Sequence, residues 1–380
     1  MNLHIYPPLR CFHSLYDFIG AINTPTENFD KFLNNWLGHK SYLCTYRGRN
    51  GIYHILNYLK INFNIKRVLV PSYICKIVIP PIKMNNLEIV FVDNDLETLG
   101  MDGNSIHLKK NDVILWVNYF GLKTIPPKKL LNRNDIFIIE DNASYFQRPS
   151  SFADFTLYSF GKGKVVSSSE GGVVVVNKHK FKDISNQVKL NPPNIKIELI
   201  RLVNYFLWRL MTFRLIYIVG KKLKDKLRKS NDLNSLKTTI DGNELSMCAV
   251  SKRLTYKQLI QMQKLQERSK ELAKIFMEKL KKFKQITVLI PKGYSNYFYV
   301  NLLVNQRDSL KSYLEKNNIF GSIPWEYLAE YILNKKTHKN ASYILKHILQ
   351  IKIDPTYMKR NDIEFITDNI KDWLSFKRME

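Results

Sequence analysis

An unbroken apolar run at residues 136–139 leads directly into two acids, Glu140 and Asp141. The run is rich in β-branched residues, which is typical of a strand covered on both faces. The sequence therefore predicts a buried strand that carries carboxylates at its C-terminal end. Taken alone, this acidic pair is compatible with a catalytic acid or with a helix cap.

A second apolar run, residues 155–160, contains Ser159 and is followed by Lys162 and Lys164 in a turn rich in glycine and serine. Another strand-like run follows at residues 173–176. A lysine reacts as a nucleophile when burial or a nearby cation disfavours its ammonium form, and a turn between buried strands provides such burial. The alternative is that both lysines are solvated turn residues.

The acid and the lysine belong to a longer pattern with defined spacing. Asp141 is followed by Ser159, then by Lys164 five residues later, and then by Glu-Gly-Gly at residues 170–172. This pattern resembles the sugar aminotransferases of the DegT/DnrJ/EryC1/StrS family, which use pyridoxal 5′-phosphate (PLP). The resemblance implies that Lys164 is the Schiff-base lysine, that Asp141 pairs with the pyridinium nitrogen and that Ser159 holds the cofactor phosphate. Lys162 is then only a neighbour.

Strand-like runs alternate with helical or loop segments up to residue 176, which predicts a mainly parallel sheet covered by helices. The resemblance implies an α/β, aspartate-aminotransferase-like fold with a seven-stranded sheet between helices and a smaller α+β C-terminal domain. We expect residues 1–240 to form the large PLP-binding domain, with an N-terminal arm, and residues 241–380 to form the small domain. The cofactor is expected at the C-terminal edge of the sheet.

A glycine-bearing turn opens the predicted helix that follows the strand at residues 42–46. Free N–H groups and the positive end of the helix dipole make such a turn an anion site. In the family the corresponding turn grips the PLP phosphate, which implies cofactor-binding roles for Gly48, Arg49, Asn50 and Gly51. Arg49 replaces the usual threonine, and it either pairs with the phosphate or points outward as a surface arginine.

Two further positions depart from the family pattern. Many relatives place an aromatic residue where this chain has Cys75, so Tyr73 or Tyr119 is expected to cover the cofactor ring instead. Ser144 replaces a glutamine that bonds the ring hydroxyl of PLP. That contact is then made through water or by another group such as Asn142.

The later part of the chain contains the candidates for substrate contact. The loop near residues 241–246 resembles one that reaches the neighbouring subunit's active site in relatives, and Asn243 is its shifted candidate. An aromatic and proline-containing stretch closes over the sugar in relatives, which makes Pro324, Trp325 and Tyr327 candidates. Trp325 is equally compatible with a core position. One long helix is expected from residue 247 to about residue 283.

The net charge of +26 raises the possibility of nucleic-acid binding. The basic residues are spread along the chain, however, which favours compositional bias, and an anionic nucleotide-sugar would be steered by the same field. The four cysteines stand far apart without histidines at ligand spacing, so neither a metal site nor a disulfide framework is indicated. We expect a cytoplasmic protein without a signal peptide.

The stretch at residues 198–229 is aromatic-rich and ends in a basic run. Its arginines interrupt it well short of the roughly 18 uncharged apolar residues of a membrane span. It is either an amphipathic helix at a membrane surface or, as we favour, a helix packed on the large domain or at a dimer contact. We therefore expect a homodimer with no stable membrane insertion.

The resemblance implies an aminotransferase that moves an amino group, with glutamate as donor, onto a nucleotide-linked keto-sugar. Such enzymes serve the synthesis of surface polysaccharides, O-antigen included, or of antibiotic sugars. A PLP-dependent sugar dehydratase is a second hypothesis, but those relatives usually carry histidine in place of Lys164. A third hypothesis is a degenerate member that binds PLP or a sugar as a regulator or scaffold, since Arg49, Cys75, Ser144 and residues 241–244 all depart from the pattern.

Overall fold

A computed structural model of the chain describes residue 6 and residues 15–168, 170–213, 216–220, 240–290, 296–325 and 337–379. Tyr327 and the basic run at residues 221–229 lie outside these ranges. The described parts contain a seven-stranded sheet and a three-stranded sheet, each with its own set of covering helices.

The large sheet has the spatial order β1-β7-β6-β5-β4-β2-β3. Neighbours from β3 to β6 run parallel, and β7 is antiparallel to both β6 and β1. The prediction of a mainly parallel seven-stranded sheet is confirmed. The strands are β1 (Tyr42–Thr45), β2 (Arg67–Pro71), β3 (Glu88–Val92), β4 (Val113–Val117), β5 (Phe137–Asp141), β6 (Phe155–Ser159) and β7 (Gly172–Val176).

The central strands are buried because side chains on both faces of the sheet meet apolar partners. In β4, Val113 and Leu115 join the core cluster that contains Ile55 and Leu59, whereas Ile114 belongs to a second cluster on the other face. Alternate residues of a strand point to opposite faces, so a strand covered twice is apolar throughout. This is why these strands are continuous apolar runs in the sequence.

The helices between and around these strands follow the predicted alternation. The region expected to form an N-terminal arm contains two helices, α1 and α2. The helices up to residue 210 are α1 (Leu15–Ile22), α2 (Glu27–Leu37), α3 (Gly48–Phe63), α4 (Ile79–Met84), α5 (Lys128–Leu131), α6 (Ile184–Gln187) and α7 (Ile195–Leu210).

The small sheet is antiparallel, with the order β10-β9-β8, and it follows a pair of helices. All of these elements come after residue 241, where we expect the second domain to begin; that boundary stays a prediction. The elements are α8 (Ala249–Leu259), α9 (Met262–Leu280), β8 (Ile286–Leu289), β9 (Tyr299–Val304), α10 (Arg307–Lys316), α11 (Lys339–His347), β10 (Ile348–Lys352) and α12 (Arg360–Met379).

The expectation of one continuous helix over residues 247–283 is wrong, because the chain breaks between α8 and α9. The N–H of Gln261 bonds to the carbonyl of Gln258, three residues back, and Gln261 has φ −102° and ψ −5°. The two helices also pack on different partners. Gln258 of α8 accepts the N–H of Ser167 at 2.9 Å, whereas Leu272 of α9 packs in the core of the small sheet. An apolar stripe in the sequence predicts a helix, but it does not indicate where the structure that the helix packs against changes.

Within the part of the chain that the structure describes, no helix combines the length and the apolar content needed to cross a membrane.

Candidate active site

The acid that ends β5 lies buried at the C-terminal edge of the large sheet. Asp141 is flanked in register by Val117 of β4 and Leu157 of β6. Its Oδ1 accepts the backbone N–H of Ala143 at 2.8 Å. Burial raises the pKa of Asp141 above its ordinary value, although the charge of Lys164 and the N–H of Ala143 act in the opposite direction. A cation placed beside this carboxylate would therefore stabilise its charged form.

The strand β6 ends at Ser159, and the turn after it places two lysines in different environments. Lys164 is half-buried and lines a cavity that Asp141 and Ser159 also line, whereas Lys162 is exposed and lies away from the cavity lining. Gly163 has φ +78°, a left-handed conformation that glycine adopts without strain, and it separates the two lysines. The same turn thus sends one amine inward and the other into solvent.

The start of α3, at Gly48 and Arg49, also lines the cavity. Gly48 is the first residue of α3, so free N–H groups of the helix start lie at the cavity. A Cβ on Gly48 would lie 2.8 Å from Cβ of Ser159, and a Cβ on Gly172 would lie 2.7 Å from Cα of Gly48. Only glycine permits this close approach of β6, β7 and the helix start.

Arg49 lines the cavity, so its predicted alternative as an outward-pointing surface arginine does not fit the structure. Its Nε is buried and has no hydrogen-bond partner among the described residues. Burial, together with the charge of Arg47, lowers the pKa of the Arg49 guanidinium. An anion bound in the cavity would give Nε of Arg49 a hydrogen-bond partner and would stabilise the charged form of the guanidinium.

Asn50 and Gly51, predicted with Gly48 and Arg49 as cofactor-binding residues, do not line the cavity. The side chain of Asn50 donates to the carbonyl of Asp241 at 3.0 Å and to Oδ1 of Asn243 at 2.7 Å. Gly51 instead allows α3 to pack against the sheet, because a Cβ there would lie 2.7 Å from Leu157. Both residues thus make packing and hydrogen-bond contacts within the protein, next to Gly48 and Arg49 but outside the cavity.

Asn243, a predicted substrate contact, is likewise engaged within its own chain. Besides the bond from Asn50, its carbonyl lies 2.8 Å from Nε2 of His54. It is absent from the described residues that line the cavity. The loop at residues 241–243 is thereby tied to α3, and Tyr327, the other candidate, lies outside the described residues.

Cys75 and Ser144, two of the departures from the family pattern, both line the cavity. Burial raises the pKa of the Cys75 thiol, while the charge of Lys164 lowers it. Asn142, suggested as a substitute for the missing glutamine, is buried behind the cavity, where its Oδ1 accepts from Asn118 at 2.6 Å. Of Asn142 and Ser144, therefore, only Ser144 lines the cavity.

The expectation that Tyr73 or Tyr119 covers the cofactor ring is not supported, because neither residue lines the cavity. The hydroxyl of Tyr119 donates to the carbonyl of Tyr73, and the hydroxyl of Tyr73 donates to the carbonyl of Pro324. Trp325, for which a core position and a substrate contact were both left open, lines the cavity and also packs, partly buried, against the main core cluster.

Several cavity-lining side chains are aliphatic, and the sequence gave no signal for them beyond their apolar character. They make the walls between the polar groups, and a planar apolar ligand would fit between them. These residues are Ile52, Ile74, Ile77, Val78, Val117 and Leu157.

The sequence also missed an ion-pair network behind the turn. Glu170 of the Glu-Gly-Gly segment accepts from Arg47 at 2.8 Å, and Arg201 of α7 lies 3.2 Å from its other oxygen. The guanidinium of Arg201 also lies 4.4 Å from the ring centre of Tyr46. This network ties α7 to the turn that precedes Gly48.

Among the described residues, no cluster of three or more His, Cys, Asp or Glu side chains is placed to hold a metal ion.

The chain is similar to GDP-perosamine synthase of Escherichia coli O157:H7, with 30% identity over 121 residues, 29% of this chain. The matched region spans 33% of that relative, about a third of its length.

Two solved structures share the fold. The E. coli GDP-4-keto-6-deoxy-D-mannose-3-dehydratase with bound hydrated PLP aligns with a TM-score of 0.72 at 16% identity, over 96% of this chain and 98% of its own. A DegT DnrJ EryC1 StrS aminotransferase from Brucella abortus aligns with a TM-score of 0.69 at 19% identity, over 94% and 95%. The model of the DegT/DnrJ/EryC1/StrS aminotransferase family matches residues 21–371, and the chain belongs to that family.

Proposed function

We propose that this chain is a PLP-dependent aminotransferase that moves an amino group from glutamate onto a nucleotide-linked keto-sugar. The observation that carries the proposal is the convergence of Asp141, Ser159 and Lys164 on one cavity at the C-terminal ends of β5 and β6. An amine, a carboxylate and an anion-binding turn are the three groups that this cofactor requires of a protein.

The residues present fit the phosphate of the cofactor. The start of α3 at Gly48 offers backbone N–H groups, and Ser159 offers a hydroxyl. The buried Nε of Arg49, which has no partner within the described residues, offers a charge-assisted hydrogen bond. Arg49 thus supplies a full positive charge where relatives have a threonine.

The residues present also fit the ring of the cofactor. The walls of the cavity are mostly aliphatic, which suits the flat faces of the ring. Asp141 is the buried carboxylate whose raised pKa a neighbouring cation would lower. A protonated pyridine nitrogen is such a cation, so Asp141 would hold the proton on that atom.

When bound, PLP supplies an electron-accepting ring and an aldehyde that reacts with amines. Lys164 is the amine that would hold the cofactor, because Lys162 is exposed and does not line the cavity. Nζ of Lys164, when it is not bonded to the cofactor, would take up and return a proton as general base and acid. The half-buried position of Lys164 keeps this group close to the reacting atoms.

The same lysine favours transamination over sugar dehydration. The dehydratase relatives usually carry histidine at this position, and the likeness to a solved dehydratase at 16% identity concerns the fold alone. The substrate class is supported by the names of the relatives, which refer to GDP-linked sugars. A net charge of +26 would attract such an anion in the cytoplasm.

The protein is proposed to act as a homodimer. Apolar side chains of α7 are exposed in the isolated chain: Ile195 by 84%, Leu199 by 59% and Val203 by 49%. A contiguous apolar surface of this kind is typical of an interface with another protein. The role in surface polysaccharide synthesis, including O-antigen, is proposed from the sugar-nucleotide relatives.

The decisive experiment incubates the purified protein with PLP, glutamate and a panel of nucleotide keto-sugars, with the products read by mass spectrometry. We expect one keto-sugar to gain an amino group while glutamate becomes 2-oxoglutarate. Lys162→Ala serves as the matched control and should retain the reaction. A protein that binds PLP but aminates none of the panel would favour the regulator or scaffold hypothesis, and loss of water from the sugar would favour the dehydratase.

A further inference from the structure

Cys75 leaves the cavity without an aromatic contact from its own segment. It lines the cavity together with Asp141 and Lys164, and a thiol offers far less flat apolar area than an aromatic ring. The neighbouring tyrosines do not compensate, since Tyr73 and Tyr119 lie outside the cavity lining. Among the described residues that line it, Trp325 is the one aromatic side chain.

Three other aromatic rings hold Trp325 in place. Its ring centre lies 5.3 Å from that of Tyr73, 5.4 Å from that of Tyr119 and 4.7 Å from that of Phe120. The hydroxyl of Tyr73 also donates to the carbonyl of Pro324, which fixes the backbone directly before the indole. The two tyrosines expected at the cofactor therefore support the residue that reaches the cavity.

The backbone at Trp325 is in a conformation that a bulky residue rarely adopts. Its φ is +56°, in the left-handed region where the Cβ of an L-residue is crowded. Such conformations persist where the surroundings impose them, and they are concentrated at ligand-binding and active sites. Here they direct an indole into the cavity, although Trp325 follows the small sheet's β9 and α10 in the sequence.

We infer that Trp325 covers one face of the cofactor ring and replaces the aromatic contact that Cys75 cannot make. This inference rests on the proposed function and assigns Trp325 to the cofactor instead of the sugar. An electron-rich indole and an electron-poor pyridinium ring attract each other in a stacked arrangement. Cofactor binding then draws on both the C-terminal edge of the large sheet and the segment that joins α10 to β10 of the small sheet.

The test measures binding of 4′-deoxypyridoxine 5′-phosphate, a PLP analogue without the aldehyde, by calorimetry on the full chain freed of cofactor. The analogue reports ring and phosphate contacts without a bond to Lys164. We expect Trp325→Leu to bind it at least tenfold more weakly than the unaltered protein and Trp325→Phe to lose less than threefold. Adding Cys75→Phe to Trp325→Leu should recover most of the loss.

Trp36→Phe is the matched control, because Trp36 stacks on Phe146 with ring centres 4.8 Å apart, outside the cavity lining. It should bind the analogue as the unaltered protein does. The inference is overturned if Trp325→Leu keeps its affinity for the analogue, or if it loses affinity only for nucleotide-sugars.

Circular dichroism establishes that each variant is folded, and Trp325→Phe keeps the test valid should Trp325→Leu not fold. In that case Trp325→Phe is compared with the double variant Trp325→Phe, Cys75→Phe. A gain of affinity in the double variant supports the inference, and no gain contradicts it. If the unaltered protein binds neither PLP nor the analogue, the proposed function itself fails, which is a distinct outcome.

Discussion

The inner strands of the large sheet and the helix α7 are both rich in apolar residues, but the fold buries them to different extents. The strands β4, β5 and β7 are buried along their whole length, and polar side chains occur only at the C-terminal end of β5. On α7, Arg201, Tyr205 and Trp208 are buried, whereas Leu199 and Val203 face outward.

The difference shows that an apolar pattern predicts burial without specifying the partner. The sheet finds its partners within the chain, in helices such as α3 and α4. Side chains on the outer face of α7 stay exposed among the described residues, and the proposal made above is that a second copy of the chain covers them. Arg201 links the two regions, because it reaches from α7 to Glu170 behind the cofactor turn.

The largest expected effect is at Lys164. We expect Lys164→Ala to lose transamination by a thousandfold or more and to lose the absorbance band of bound PLP, because no second amine lines the cavity among the described residues. Lys162→Ala should keep both. Borohydride reduction followed by peptide mapping should place the pyridoxyl group on Lys164, and a label on Lys162 would contradict the site.

Asp141→Asn should keep PLP bound but lower kcat by roughly a hundredfold or more, since the amide cannot hold the ring nitrogen protonated. Steady-state kinetics and the PLP spectrum separate the two effects. Unchanged kcat would remove Asp141 from the mechanism.

The same variant tests the raised pKa in the cofactor-free protein. As pH rises, the unfolded carboxyl ionises first, near its reference pKa of about 3.9, so the native state loses stability up to its own higher pKa. Asparagine does not ionise, so the variant does not lose stability as the pH rises through this range. Thermal melts should show cofactor-free Asp141→Asn more stable than the unaltered protein at pH 7, with the difference vanishing below about pH 3.9. A less stable variant at pH 7 would refute the assignment.

Arg49→Ala should weaken PLP binding about tenfold to a hundredfold, the usual range for a hydrogen bond to a charged group. Arg209→Ala, on α7, is the matched control and should leave the affinity unchanged. Fluorescence titration with PLP measures both. Equal affinities for Arg49→Ala and the control would show that the guanidinium does not contact the phosphate.

On the α7 side, the pair Leu199→Glu and Val203→Glu should halve the mass measured by light scattering at micromolar concentration. Carboxylates at these positions would be desolvated in an apolar contact between two copies. Ile61→Glu, on α3 and 69% exposed, is the control and should remain dimeric. A monomer for the unaltered protein would sink the dimer proposal.

The smallest expected effect concerns the basic run at residues 221–229, which lies outside the described residues. We expect the protein to stay in the supernatant with anionic vesicles at physiological salt, and the change of Lys221, Lys222 and Lys224 to Glu to make no difference. Sedimentation that these changes abolish would favour the membrane-surface hypothesis.

Much of the large sheet could be predicted from the sequence, because strands buried on both faces are continuous apolar runs and their order along the chain is local information. The choice of Lys164 over Lys162 came from the resemblance to the family, which shares the spacing from Ser159 through Lys164 to the Glu-Gly-Gly segment. A turn of a few residues fixes its own backbone, and the structure places Lys164 in the cavity and Lys162 outside it.

Only the tertiary structure decided which distant side chains meet. Asn50 faces Asn243 instead of the cavity, and Tyr73 supports Trp325 instead of lining the cavity itself. These contacts join residues roughly two hundred or more positions apart, and their geometry depends on how two sheets and their helices pack. Local spacing carries no information about that packing, which is why the sequence indicated the turn that carries Lys164 and only the tertiary structure determined which residues surround it.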